Sequence, residues 1–100
     1  MLSAVQTALG GISRASAGVA AAANNVANLN TDGYRAQRLD SAGNSRPRHD
    51  TSVAPDPAPS DVDLAEEAVD MKRHEMSFRA NVAAARVADR MNGELLDLLA

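Results

Sequence analysis

The sequence predicts an all-α fold: an antiparallel, coiled-coil-like hairpin of two helices, joined by an extended or disordered linker and completed by assembly with further chains. Three observations carry this. Apolar residues recur at helical spacing from Met1 to about Thr31 and again from Ser60 to Ala100, and prolines crowd the stretch between them. Neither helix carries enough large apolar material to close a core alone. The chain thus divides into a first helix with its cap and turn (1–34), a linker (35–60) and a long second helix (61–100).

In the first helix Leu2, Val5, Leu9, Ile12, Val19 and Val26 fall on a 3-4 alternation whose remaining slots are Ser16 and Ala23. The other faces are Ala, Gly, Ser, Thr, Gln and Asn, and Arg14 is the only charged side chain before Asp32. A helix bathed in water normally carries charge on its outer face. Small neutral residues all round predict a helix enclosed by other chains, because they let backbones approach closely. Gly10, Gly11 and Gly18 each cost about 1 kcal/mol against alanine in a helix interior, so the helix is weak alone.

The helix exit is marked by four asparagines, Asn24, Asn25, Asn28 and Asn30, whose side chains can satisfy groups a helix end leaves unpaired. Thr31-Asp32-Gly33 supplies a tight turn, with Gly33 free to take positive φ. Tyr34, the only tyrosine, follows; its ring is expected to pack on the helix just left and its hydroxyl to stay in water. The string Asn24-Asn25-Val26-Ala27-Asn28, then Asn30-Thr31-Asp32-Gly33-Tyr34-Arg35, resembles the N-terminal signature of flagellar rod and hook proteins, the axial family of the bacterial flagellum. That family usually has proline where this chain has Asp32. In the other half, Val62-Asp63-Leu64-Ala65-Glu66-Glu67 and Ser77-Phe78-Arg79-Ala80-Asn81 resemble the family's C-terminal helix, with Phe78 in place of the usual tyrosine.

From Arg35 to Ser60 a basic run, Arg35, Arg38, Arg46, Arg48 and His49, precedes Pro55, Pro57 and Pro59, with Pro47 inside it. Prolines forbid continuous helix, and apolar content is too low for independent folding, so disorder or an extended path is expected from about Asp40 to Pro59. The basic run is either solvated or docks on an acidic neighbour or anionic surface. Larger family members insert a domain here, so the resemblance places this chain nearest the short proximal-rod type.

Ser60 or Asp61 is the expected cap of the second helix, whose first turns hold Asp61, Asp63, Glu66 and Glu67 where the helix dipole favours negative charge. Val62, Ala65, Val69, Met76, Ala80, Ala84, Val87, Met91, Leu95 and Leu98 follow steps of 3, 4 and 4, with Arg73 in one apolar slot, and Asn81 is counted with them in the expected assembly seam. Such an 11-residue repeat averages about 3.67 residues per turn, a nearly straight stripe suited to a long rod. Leu95, Leu96, Leu98 and Leu99 make the tail greasier than one seam needs, which predicts contact with another subunit.

Composition excludes several function classes. One hundred residues without cysteine allow one small domain with no disulfide and no thiolate metal site. A formal net charge of -3 with one Tyr and one Phe argues against nucleic-acid binding. No apolar run approaches the roughly 20 residues that span a bilayer, so no membrane insertion is expected. The N-terminus lacks a basic leader and Arg14 interrupts it, so no cleaved secretory signal is expected. His74-Glu75 begins like a zinc-protease helix, but the second histidine position holds Phe78, and His74 reads as a solvated side chain. Glu66, Glu67 and Asp70 could attract a divalent cation, yet acids at a helix N-terminus already have a structural cause. No catalytic residue, metal or cofactor is expected, and the chain is not read as an enzyme.

The resemblance implies a structural subunit of the flagellar basal-body rod that transmits torque and encloses the export channel. It implies partners among copies of the chain, other axial proteins and the type III export apparatus, and a place in the periplasm-spanning rod. Asn24, Asn25, Asn28, Asn30, Thr31, Gly33 and Tyr34 would set the turn, and the two apolar stripes would make intersubunit contacts. The competing expectation is a soluble helical-hairpin adaptor or export partner that grips an acidic protein through Arg35 to His49.

Overall fold

A computed structural model describes residues 2–47 and 59–99. Two helices dominate: α1, Leu2–Ala27, and α2, Leu64–Leu99, with strands β1, Gln37–Leu39, and β2, Ser45–Pro47, between them. At 1.5 Å per residue the 36 residues of α2 run about 54 Å, and the molecule measures 67 × 22 × 14 Å. The strands pair antiparallel, Arg38 opposite Arg46, around a turn in which Gly43 takes φ 87°. Asp40 holds that turn by accepting from the amides of Ala42 and Asn44, both at 2.9 Å, and from Arg46 at 2.7 Å. The Arg46 bond, with the amides, holds the Asp40 carboxyl below the usual carboxylate range. Over residues 40–47 the linker is thus ordered, a turn leading into the extended strand β2. Its expected irregular path over 48–58 lies outside the described residues.

The start of α2 also differs from expectation. Asp63, not Ser60 or Asp61, caps it: its Oδ1 accepts from the amides of Ala65 at 3.0 Å and Glu66 at 3.3 Å. Asp61 is drawn away, accepting instead from the amide of Ala36.

The helices pack antiparallel in one register. Asn25 meets Glu67, Gly18 lies under the ring of His74, and Gly11 lies under the side chain of Asn81. Each step of seven down α1 is a step of seven up α2. A Cβ on Gly11 or Gly18 would collide with its partner, so these two glycines are required by close approach, whereas Gly10 faces open space. The α1 side of the interface is small: Ala8, Ala15 and Ala22 are buried with Gly18. His74 is thus a half-buried interface residue rather than a solvated one, because glycine leaves room for the imidazole.

The α2 stripe stands beside this interface, turned largely outward, while the α1 stripe is outward at Leu9 and half-buried elsewhere. Leu9 is 54% exposed, and Val5, Ile12, Val19 and Val26 are half-buried. On α2, Val69, Met76, Val87, Met91, Leu95 and Leu98 are between 48% and 81% exposed; Ala80 is exposed and Asn81 half-buried, as is Val62 just before the helix. The side chain of Leu2 lies outside the described residues. Leucine and valine are too bulky for the close approach that alanine and glycine permit, so the smaller face wins the internal contact. Continuing the register, α1 begins beside Arg90, and Met91 to Leu99 run on past its end.

Candidate functional site

The helix exit is built from asparagine. Asn28 donates its amide to the carbonyls of Asn24 and Asn25, both at 3.1 Å, and its Nδ2 to the Asn24 carbonyl at 2.8 Å. Thr31 continues the chain of bonds, its amide donating to the Asn28 carbonyl at 3.0 Å and its hydroxyl to Asn28 Oδ1 at 3.1 Å. Tyr34 N donates to the Thr31 carbonyl at 3.1 Å, closing a four-residue turn with Gly33 third, at φ 80°. Those features define a type II turn, and Asp32 stands in the second position that proline favours.

The turn aims Tyr34 back at α1. Its hydroxyl donates to Asn25 Oδ1 at 2.9 Å rather than remaining in water. Burial, then the carboxylates of Glu67 and Asp61, push the Tyr34 hydroxyl above its ordinary value of 10.0.

Asn25 is fully buried and uses all of its hydrogen-bonding capacity. Oδ1 accepts from Tyr34 and from the Gln37 amide at 2.8 Å; Nδ2 donates to the Gln37 carbonyl at 3.0 Å and to Glu67 Oε2 at 3.0 Å. One side chain thus ties the end of α1, the turn, β1 and α2. Glu67 is also fully buried, and Arg38 Nη2 reaches its Oε1 at 2.7 Å. The same guanidinium lies 3.3 Å from Glu66 and 3.2 Å from Asp70. Burial alone would lower Arg38, but the bonds to Glu67 and Glu66 outweigh it and hold the guanidinium above its ordinary value. A buried carboxylate is tolerable only with such partners.

Of the expected turn residues, Asn25, Asn28, Thr31, Gly33 and Tyr34 come together here. The side chains of Asn24 and Asn30 are exposed and make no hydrogen bond among the described residues. Gln37, Arg38 and Glu67 were not expected at this site. The available signal was the opposite charge of the basic run and the acidic start of α2. Arg38 crosses the Glu66, Glu67 and Asp70 group, filling the place a cation would take, and among the described residues no cluster could hold a metal ion.

The deciding pattern, an asparagine-built helix exit closed by the Gly33 turn and Tyr34, is the end of a recognisable segment. Residues 5–35 match the family model of the flagella basal body rod protein. Over that segment, 31 of the chain's 100 residues, the chain is similar to the flagellar rod family. The rod-family span covers α1 from Val5, its exit and its turn; the resemblance in residues 62–67 and 77–81 lies outside it. No curated protein and no solved structure matches the chain. The knot joins the two halves: Asn25 and Tyr34 lie inside the rod-family span, and Glu67 comes from the helix beyond it.

Proposed function

We propose that the chain is a structural subunit of the flagellar rod, polymerising with copies and axial relatives through its helix pair so that packed helices transmit torque and enclose an export channel. In this reading the subunit travels through the type III export apparatus without a cleaved leader and comes to rest in the periplasm-spanning rod, α2 nearer the channel. One observation carries the reading: large apolar side chains lie on the outside of the pair, Leu9 on α1 and Val69, Met76, Val87, Met91, Leu95 and Leu98 along α2. Large apolar side chains exposed at intervals over that length mark an interaction surface. The adaptor reading is weakened by the pairing of Arg38 with Glu67 and of Arg46 with Asp40, which occupies two cations of the basic run.

The test uses the purified full chain. Circular dichroism and electron microscopy across a concentration series are expected to show low helicity in the monomer, rising as filaments or oligomers form. A compact, fully helical monomer at high concentration would overturn the proposal.

A further inference from the structure

The overhang of α2 has both an apolar face and an acidic edge. Leu95, Leu98 and Leu99 are 48%, 81% and 84% exposed. Glu94 and Asp97 have no ion partner among the described residues. The last turn of α2 contains no basic residue, so these carboxylates sit at the end of the helix where the dipole is already negative. Among the described residues no cation offsets that arrangement.

A complementary surface lies on the flank of the same helix pair. Val19 of α1 and Met71 and Phe78 of α2 line an open groove of about 470 Å³ whose wall includes Glu75 and Arg79. Arg79 is 76% exposed and Lys72 67% exposed, and both share the single carboxylate of Glu75, at 2.8 and 3.7 Å, leaving net positive charge on that flank. Arg86, seven residues on, extends it without an ion partner among the described residues.

We propose that this groove receives the Met91 to Leu99 overhang of a second copy, leucines on the Val19, Met71 and Phe78 floor and Glu94 and Asp97 against Arg79 and Lys72. The occupant is assigned by charge: a leucine-faced helix with a carboxylate edge fits an apolar floor with a cationic wall. The contact deepens the rod reading and rests on it for its repetition. The groove and the overhang lie about 20 residues apart on one helix, about 30 Å, so they cannot meet within one chain. Copies joined in parallel would be offset by that distance, leaving a groove open at one end and an overhang at the other.

The experiment is sedimentation equilibrium on the full chain. Arg79→Glu and Glu94→Arg are each expected to weaken self-association by about tenfold or more, and the two together to restore it, because the pair is reversed rather than removed. A second measurement avoids any dependence on charge reversal. The chain has no cysteine, so Phe78→Cys with Leu98→Cys, oxidised, can form a bridge only between chains. A ladder of bridged multimers supports the contact and its repetition. A single bridged dimer keeps the contact but overturns open stacking. Association that ignores the reversals and yields no bridge overturns the contact and leaves the rod reading standing. A monomer at every concentration overturns both.

Discussion

Asn24 and Asn25 are neighbours of identical chemistry, and the structure predicts opposite consequences for replacing them. In Asn25→Ala the Gln37 amide loses its acceptor and Glu67 Oε2 loses its donor, while the Gln37 carbonyl keeps Arg38 Nη1 at 2.8 Å. Each neutral buried group left unpaired costs about 1–3 kcal/mol, and a bond to a charged group is worth about 1.5–3 kcal/mol. The Tyr34 hydroxyl can turn to water and adds little. Water entering the space left by the amide recovers part, so the net loss is about 3–5 kcal/mol. A domain of this size holds only about 5–15 kcal/mol in total. Asn24 is exposed and contributes only its carbonyl, which alanine retains, so Asn24→Ala costs about 0.5 kcal/mol or less. Urea titration of the associated form, followed by helical circular dichroism, compares the two midpoints. Equal midpoints for the two variants would refute the assignment of Asn25 as the knot.

Two further outcomes follow from the same geometry. Gly10→Ala gains up to about 1 kcal/mol from helix propensity because its Cβ meets nothing, while Gly18→Ala collides with His74 and loses about 1–3 kcal/mol despite the same propensity; adding His74→Ala recovers most of that loss, and thermal melting reads all three. The Tyr34 hydroxyl is raised in the folded state, so its stabilising contribution is complete below its ordinary value of 10.0 and is lost as pH rises through the raised one; an alkaline titration of helicity should show this step, and Tyr34→Phe should remove it.

Local chemistry made the helices, the asparagine exit and the Gly33 turn legible, because each depends on residues within one or two turns. Glu67 was not legible. Its place near a helix N-terminus had a sufficient local cause, and only the arrival of Asn25 and Arg38 from distant positions shows that it is buried. Asn24 and Asn25 were equally good candidates, since which one faces α2 depends on the pairing of the helices. Apolar periodicity found both stripes, but the internal face is alanine and glycine on α1, and hydropathy does not mark such a face. The β1 and β2 hairpin escaped for a related reason: its three-residue strands are held by Asp40, Arg46 and backbone amides rather than by an alternating apolar pattern.

The shallow dimension of the molecule, 14 Å, is little more than the diameter of a single helix with its side chains. Away from the end covered by β1 and the Gly33 turn, almost every described position of the two helices therefore belongs either to the sister helix or to the outside world. A mutational scan on isolated molecules would find a long run of tolerant sites down α2. In the assembly proposed above, the same scan would find those sites unforgiving, and the difference between the two maps would trace the outline of the neighbouring subunits.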